Sequence, residues 1–265
     1  MAAVAATMDS GGRERHYFAY RPSNLSASKQ VPLVLALHGY TQPATGLEGT
    51  TRFNDLAYAA GFEVVYPQGV YNSWDAGFCC GDAVSETIDD VAFLKALIDK
   101  LIAAGGIDPK RVFVAGLSNG AFMSYRLACQ LSDRVAAIAS VAGTMVVPFS
   151  SCHPATPVSV LEMHGDADDI VPYGGGDAGF GGAFPSVATV IGEWVANDHC
   201  TGAAATTTTG AVKTDVWSTC RGGTSVRLDT IAGAGHTWFG SGGIASEPNA
   251  TQVAWDFFSH VPARS

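Results

Sequence analysis

A chain of 265 residues with 47% apolar and only 15% charged side chains is rich in core-forming residues, which excludes intrinsic disorder. Its net charge of −9, without a cluster of Lys or Arg, would repel a phosphate backbone and offers nothing to anionic lipid. No run of about 18 apolar residues occurs, so the sequence predicts no membrane-spanning helix. We therefore expect no nucleic-acid partner and no membrane partner.

The start of the chain differs from the rest. Its first residues, MAAVAATMDSGG, contain alanines that resemble the end of a signal peptide, but they lack a basic segment and a full apolar core. We interpret residues 1–14 as a flexible N-terminal remnant. Residues 15–265 are predicted to form one domain, because α/β folds often use this much chain as a single unit.

The short, continuously apolar run VPLVLALHGY (31–40), which ends near glycine, predicts a strand buried on both faces, and RVFVAG (111–116) is predicted as another buried strand. Further strands are predicted at FEVVYPQG (62–69), VAAIASVAG (135–143) and PVSVLEMHG (157–165). Two further strands are predicted at AVKTDVWSTC (211–220) and SVRLDTIAG (225–233). Residues 172–185, which are rich in Gly and Pro, predict a loop.

Helical segments separate these strands. They are predicted at TRFNDLAYAAG (51–61), from Asp89 onward, at 119–132, at SVATVIGEWVANDHC (186–200) and at ATQVAWDFFSHV (250–261). The helix after Asp89 has apolar side chains at Leu94, Leu97, Ile98 and Leu101, the spacing of one helix face. Strands that alternate with helices predict an α/β fold: a doubly wound, mostly parallel sheet with helices on both faces.

The six cysteines favour disulfides over a metal site, because they include no C-x-x-C motif and no Cys/His ligand cluster. We therefore expect no metal and no cofactor, and a location outside the reducing cytosol. Cys200 and Cys220 flank a Thr/Ala-rich segment and are predicted to pair. The sequence leaves the pairing of the other four open.

The segment Gly116-Leu117-Ser118-Asn119-Gly120 matches the G-x-S-x-G pattern of a serine nucleophile. It follows a predicted strand and opens a predicted helix, which is the context that this pattern requires. A hydroxyl at such a turn lies at a helix N-terminus, where developing negative charge is favoured. The alternative is that Ser118 only caps the helix, because Ser is a preferred N-cap residue.

A serine hydroxyl needs a base to remove its proton, and in this chain order the acid and then the histidine follow the serine. Of the seven histidines, His236 alone lies on a Gly-rich loop between the last strand and the last helix, so we predict it as the base. The acid is expected after the strand VSVLEMHG, where Asp166, Asp168 and Asp169 occur together. Pattern alone does not choose among these three.

Seven separated segments carry a family resemblance that makes this choice. LHGY, YPQG, SWDAGFCCG, DDVAFL, GLSNGAFMSYRLAC, HGDADDIVPY and GAGHTWFG, in this order, resemble a family of secreted α/β-hydrolase esterases. That family includes polyhydroxybutyrate depolymerases and the feruloyl and acetylxylan esterases of carbohydrate esterase family one. The resemblance covers roughly residues 15–260. It implies an α/β-hydrolase catalytic domain with Ser118, Asp168 and His236 as its catalytic triad.

The oxyanion hole of such a fold uses two backbone N–H groups, one after the nucleophile and one from the loop after the strand LVLALHG. These are predicted to be the N–H groups of Asn119 and Tyr40. An ordinary strand-end turn at His38-Gly39 is the alternative.

Four aromatic residues, Trp74, Tyr40, Trp238 and Phe239, are predicted on loops at the carboxyl ends of strands, where ligands bind in open α/β sheets. We expect them to contact substrate, with packing of Trp74 on Cys79 or Cys80 as the alternative. No large lid domain is expected between Ser118 and Asp168.

These features predict a secreted serine esterase, with feruloyl (hydroxycinnamoyl) esters of plant polysaccharide as the first expected substrate. A polyhydroxyalkanoate depolymerase of the same mechanism is the second expectation and an acetylxylan esterase the third. A noncatalytic surface-binding protein on a hydrolase scaffold is the alternative from another class. The expected partner is an ester substrate, and the sequence does not specify an oligomeric state.

Overall fold

A computed structural model describes residues 2–26, 28–177, 179, 181–242 and 247–264. Ten strands form one sheet in the order β1-β2-β4-β3-β5-β6-β7-β12-β11-β10. The strands from β4 to β12 along this order are parallel to one another, and the strands at both edges are antiparallel. This arrangement confirms the predicted α/β class.

The strands of the large sheet are β1 (Val4–Ser10), β2 (Arg13–Tyr20), β3 (Val31–Leu37), β4 (Glu63–Pro67), β5 (Ile107–Leu117), β6 (Ala137–Val141), β7 (Ser159–Gly165), β10 (Ala205–Thr209), β11 (Val212–Trp217) and β12 (Val226–Ile231). Two short strands, β8 (Gly176–Asp177) and β9 (Ala183–Phe184), pair separately within the predicted Gly/Pro-rich loop.

The helices are α1 (Ala44–Thr51), α2 (Phe53–Ala60), α3 (Asp82–Ser85), α4 (Asp90–Ala103), α5 (Asn119–Gln130), α6 (Val187–Asn197) and α7 (Ala250–His260). Single turns of 3₁₀ helix occur at Val70–Asn72, Phe149–Ser151 and Arg221–Gly223. From Ser118 to Asp168 the chain forms only α5, β6, one such turn and β7. The chain therefore has no lid domain between these two residues.

The central strands are buried on both faces, as their apolar runs predicted. In β3, Leu33, Leu35 and Leu37 belong to one apolar cluster, whereas Val34 and Ala36 belong to the other. This alternation follows from the two-residue period of a strand. Helices α4, α5 and α6 cover the first face, and α1, α2 and α7 cover the second. Helices therefore lie on both faces of the sheet.

The prediction of a flexible N-terminal remnant at residues 1–14 is wrong. Strand β1 runs antiparallel to β2 from the pair Val4 and Ala19 to the pair Ser10 and Arg13, which makes it an edge of the main sheet. The side chains of β1 are exposed or half-buried, and the strand lacks the apolar run by which buried strands are recognised. The same weak signal explains why the polar edge strand β10 was not predicted.

One predicted helix is two helices. Residues 51–61 were expected to form a single helix, but the backbone at Arg52 has a φ of 53° and separates α1 from α2. The predicted helix therefore corresponds to the end of α1 and the whole of α2, and α1 itself begins seven residues before Thr51.

All six cysteines form disulfides, and the predicted pair of Cys200 and Cys220 is among them. The other two bonds join Cys129 with Cys152 and the neighbouring residues Cys79 and Cys80. We predict no titratable thiol when the protein is denatured without reductant, measured with a chromogenic disulfide reagent. A reduced sample should give six thiols. Two or more thiols in the unreduced chain would contradict complete pairing.

The described residues contain neither a membrane-spanning helix nor a cluster of metal ligands. No helix there is long and apolar enough to cross a bilayer. In the same part of the chain, no group of three or more His, Cys, Asp and Glu side chains is arranged to hold a metal ion.

Candidate active site

Ser118 lies in a strained turn between β5 and α5. Its backbone has φ 55° and ψ −118°, a conformation that L-residues rarely adopt and that costs free energy. A side chain on Gly116 would collide with the carbonyl of Gly120, and one on Gly120 would collide with the carbonyl of Leu37. Both glycines of the G-x-S-x-G pattern are therefore required by the close approach of backbone to backbone.

The hydroxyl of Ser118 does not cap helix α5. Ser118 is the N-cap residue by position, but its side chain accepts no capping hydrogen bond. The backbone N–H of Ser118 donates to the carbonyl of Val141, at 3.0 Å, which ties the turn to the end of β6. The alternative interpretation of this serine as a simple helix cap is therefore not supported.

His236 and Asp168 form a hydrogen-bonded pair. Nδ1 of His236 lies 2.8 Å from Oδ2 of Asp168. The other oxygen of Asp168 accepts the backbone N–H groups of Ile170 and Val171, at 2.9 and 2.8 Å. The Asp168 carboxyl is fully buried, whereas 19% of the His236 side chain is exposed. The buried carboxylate thus holds the imidazole at Nδ1, and the rest of the ring remains partly exposed at the surface.

The hydrogen bonds keep Asp168 ionised. Burial of its carboxyl acts to raise the pKa, but the hydrogen bonds from His236 and from the backbone of Val171 outweigh burial and lower the pKa below its usual value. A carboxylate in this state orients the imidazole and stabilises its cation.

The neighbouring acids have other surroundings. Oδ1 of Asp166 accepts the backbone N–H of Gly233, at 2.6 Å, in the loop that carries His236. Asp169 is exposed to solvent. Of the three carboxylates that the sequence left open, Asp168 is the one placed on His236.

The carboxyl ends of adjacent parallel strands bring the three predicted residues to one edge of the sheet. Ser118 follows β5, Asp168 follows β7, and His236 follows β12. These strands lie in the order β5-β6-β7-β12. The acid and the base therefore come from neighbouring strands, and the serine is two strands away from the acid.

The loop after β3 passes directly beside Ser118. A side-chain carbon built on Gly39 would lie 3.5 Å from Cβ of Ser118. His38 fixes this loop: its Nδ1 donates to the carbonyl of Gly39, at 2.8 Å, and its Nε2 accepts the N–H of Gly69, at 2.9 Å. Burial lowers the pKa of His38 to about 4, so its imidazole is neutral. Tyr40 follows Gly39 in this loop, and its N–H is a predicted oxyanion donor.

Asn119 joins the nucleophile turn to a second loop. As the first residue of α5, it has a backbone N–H that the helix itself cannot pair. Its fully buried side chain accepts the N–H of Trp74, at 2.7 Å, and donates to the carbonyls of Trp74 and Cys79, at 3.1 and 3.2 Å. Sequence reasoning assigned a role only to the backbone of Asn119. Its side chain clamps the loop that contains the Cys79–Cys80 disulfide.

We predict that Asn119→Ala lowers kcat/KM for an ester substrate by roughly 10- to 100-fold, because it leaves buried backbone groups of Trp74 and Cys79 unpaired and loosens the turn at Ser118. Asn197→Ala is the control, because the Asn197 amide donates to the side chain of the neighbouring Asp198 at the end of α6 and not to the loop that contains Trp74 and Cys79. Steady-state kinetics with both variants checks this expectation. Equal activity of Asn119→Ala and the native protein would exclude a role for the clamp.

Three of the four aromatic residues predicted to contact substrate are buried, and the prediction is wrong for these three. Trp74, Trp238 and Phe239 are 0%, 2% and 1% exposed. The indole of Trp74 donates to the carbonyl of His38, at 2.9 Å, and that of Trp238 donates to Thr251 Oγ1, at 3.0 Å. The rings therefore pack in the interior, beneath the loops, and do not face solvent. Loop position alone did not reveal this, because Trp can bury its ring and still satisfy its N–H.

The fourth predicted aromatic residue, Tyr40, and one further apolar side chain, Ile170, are exposed on the loops of the site. Tyr40, on the loop beside Ser118, is 40% exposed, and its ring packs over Gly81. Ile170, two residues after Asp168, is 51% exposed. They are better placed to meet a substrate than the three buried rings.

The strand order, the strained serine turn between β5 and α5, and the Asp168–His236 pair together define an α/β-hydrolase fold. The fold is similar to that of the acetyl xylan esterase from Aspergillus awamori, with a TM-score of 0.67 at 16% identity over 92% of this chain and 94% of that one. A thermostable esterase also matches with a TM-score of 0.67, at 16% identity over 98% of this chain and 63% of that one.

The chain belongs to the Esterase PHB depolymerase family, which matches residues 16–210. It is 31% identical to feruloyl esterase B of Piromyces equi over 89% of this chain and 43% of that protein. Over 94% of this chain and 33% of the other, it is 27% identical to a bifunctional acetylxylan esterase/xylanase of Neocallimastix patriciarum. Poly(3-hydroxyalkanoate) depolymerase C of Paucimonas lemoignei shares 36% identity over 48% of this chain and 33% of that protein. The chain thus spans less than half the length of these curated relatives.

Proposed function

We propose that the protein is a serine hydrolase of carboxylic esters, with Ser118 as nucleophile, His236 as general base and Asp168 as the orienting acid. One observation carries this proposal: the hydrogen bond of 2.8 Å between His236 Nδ1 and the buried Asp168, in a fold that holds Ser118 in a strained turn at the same edge of the sheet. A purely structural role would not require the hydrogen-bonded pair, the strained serine turn and their position at one edge of the sheet together.

In the acylation step, Ser118 Oγ attacks the ester carbonyl carbon while His236 Nε2 takes the hydroxyl proton. The carbonyl oxygen becomes an oxyanion, and the backbone N–H groups of Asn119 and Tyr40 are proposed to donate to it. When the tetrahedral intermediate collapses, the bond to the leaving alcohol breaks and His236 gives its proton to that oxygen. An acyl-Ser118 ester remains.

Water completes the cycle. His236 takes a proton from water as its oxygen attacks the acyl carbonyl, and the same N–H groups bind the second oxyanion. Collapse releases the carboxylic acid and returns the proton to Ser118. Asp168 stays ionised throughout and stabilises the imidazolium in both steps, in keeping with its lowered pKa.

For the substrate, we propose feruloyl-type esters of plant polysaccharide. Support comes from the similarity to feruloyl esterase B over 89% of this chain. An open site also favours a bulky ester, because no lid is inserted between Ser118 and Asp168. Tyr40, with its exposed ring on the loop beside the nucleophile, is the residue proposed to contact the aryl group.

A polyhydroxyalkanoate depolymerase is the second candidate, supported by the match to the Esterase PHB depolymerase family and to a poly(3-hydroxyalkanoate) depolymerase. Both candidates use the same proposed mechanism and differ in the acyl group. We propose an extracellular location for either, because all six cysteines form disulfides and such bonds persist in oxidising compartments.

The experiment is hydrolysis of methyl ferulate, a 3-hydroxybutyrate trimer and acetylated xylan by the native protein and Ser118→Ala in parallel. Ferulate release that depends on Ser118 supports the first candidate, and preference for the trimer supports the second. A fluorophosphonate probe addresses the noncatalytic alternative, because only an activated serine reacts with it. Failure of the folded native protein to react would overturn the hydrolase proposal.

A further inference from the structure

A buried pair, Glu162 and His164, lies behind Asp168 and has no part in the mechanism above. Both residues belong to β7 and point to the same face, two positions apart. Their side chains are 2% and 0% exposed. Charged side chains are almost never so completely buried unless they are paired. Two such residues in a strand whose other members are mostly apolar call for a physical reason.

The hydrogen bonds of His164 define its protonation. Nε2 lies 2.8 Å from the carbonyl of Val171, which can only accept, so Nε2 carries a proton. Nδ1 lies 3.0 Å from Oε1 of Glu162. The hydroxyl of Tyr125 donates to the other oxygen of Glu162, at 2.8 Å, which favours the ionised carboxylate. With Glu162 ionised, both nitrogens of His164 act as donors and the ring is an imidazolium.

The positive end of this pair faces the acid of the proposed triad. Nε2 of His164 lies 3.5 Å from Oδ2 of Asp168, the same oxygen that His236 contacts. The peptide of Val171 links them further, because its carbonyl accepts from His164 and its N–H donates to Asp168. The turn that presents Asp168 is thus fixed by His164.

Side chains from several elements surround His164 and Glu162 in the part of the chain that the structure describes. The titratable groups that face His164 are Glu162 on β7, Asp168 on the following loop, and Tyr173, whose ring lies edge-on at 5.8 Å. Tyr125 on α5 reaches the pair through Glu162. From β12, Thr230 lies opposite His164 and is neutral.

We propose that His164, held as a cation by Glu162, is a positioning residue that fixes Asp168 and, through Asp168, governs how the activity of the general base His236 depends on pH. The inference rests on the proposed hydrolase function, in which His236 must lose its proton to act. A positive charge behind Asp168 offsets part of the carboxylate's attraction for a proton on His236. Glu162 supplies the countercharge from the far side, so the pair acts as a dipole.

The shift of the His164 pKa agrees with this geometry. Burial acts to lower that pKa, but the hydrogen bond to Glu162 and the charge of Glu162 outweigh burial and raise it above the usual value. Burial raises the pKa of Glu162 and so opposes its ionisation, whereas the hydrogen bond and the charge of His164 and the hydrogen bond from Tyr125 act to lower that pKa.

The test compares Glu162→Gln with the native protein in the pH dependence of kcat/KM on the substrate that the native protein hydrolyses best. Gln keeps the shape and removes the countercharge, so His164 becomes neutral. We expect the acid limb to move to higher pH by about 0.5 to 1 unit, with activity at pH 8 within about threefold of the native value. A purely structural role would lower kcat at every pH and leave the acid limb in place, which would overturn the proposal.

Glu14→Gln is the matched control, because it removes the same charge from a side chain that is 69% exposed, and its acid limb should not move. A second measurement needs no variant: ¹⁵N NMR of the native histidines at pH 7. We expect two protonated nitrogens on His164. A neutral His164 ring would overturn the proposal even if the protein is an active esterase. Ester hydrolysis that persisted in Ser118→Ala would instead overturn the proposed function, while the two protonated nitrogens of His164 would still be observed.

Discussion

Replacement of His236 by Ala is expected to lower kcat by about three or more powers of ten with little change in KM. The reason is that without the imidazole no side chain takes the proton of Ser118 as it attacks, and none returns it to the leaving alcohol. Because the loss is confined to the chemical steps, ester binding should persist. Steady-state kinetics with methyl ferulate or the preferred ester measures the effect.

Two controls separate catalysis from folding in the His236→Ala variant. His153→Ala removes an exposed histidine and should leave kcat within about twofold. Thermal unfolding should show that His236→Ala still folds, although it leaves the buried Asp168 without its imidazole partner and costs about 1–3 kcal/mol. If the folded variant kept more than a tenth of native kcat, His236 would not be the base.

Much of the fold could be predicted because its central strands are buried on both faces. The apolar run that becomes β3 carries no competing pattern, and Gly39, two residues after its end, marks where it stops. The edges lacked this signal. Strand β1 joins the sheet through backbone hydrogen bonds with exposed side chains, so neither its apolar content nor its period distinguished it from a flexible tail.

Prediction of the site succeeded where geometry follows from chain order and failed where it depends on packing. The position of Ser118 follows from a short pattern at a strand–helix junction, because backbone contact allows only glycine on either side. Whether Trp74 faces substrate depends on a clamp from Asn119, forty-five residues away in the sequence. A single-sequence pattern carries no information about such a contact.

The sequence contains one signal of the buried pair of Glu162 and His164. In the segment LEMHG, Glu162 and His164 alternate with apolar residues in a strand that is otherwise predicted to be buried. A strand period of two places both on one face, so they had to pair with each other or with a neighbouring element. The sequence could not identify Tyr125 as the third member, because its contact with Glu162 spans thirty-seven residues.

Asp168→Asn is expected to lower kcat by about 10⁴-fold, because an amide cannot hold the imidazole in the tautomer that accepts the proton of Ser118. An Asn side chain would also present an N–H₂ group to one of the donors that Asp168 now accepts, from His236 or from the Ile170 and Val171 backbone. The measurement is kcat across pH 5 to 9. A loss that persists through this range distinguishes the wrong tautomer from a simple change in protonation.

The two neighbouring acids provide the controls for that prediction. Asp169→Asn changes an exposed side chain and should leave kcat within about twofold. In Asp166→Asn the amide oxygen can still accept the N–H of Gly233, so the loop that carries His236 keeps its support and kcat should fall less than tenfold. If Asp166→Asn or Asp169→Asn proved as damaging as Asp168→Asn, the orienting acid would have to be reassigned. That result would also remove the basis for a role of His164, since its charge faces Asp168 and neither of the other two carboxylates.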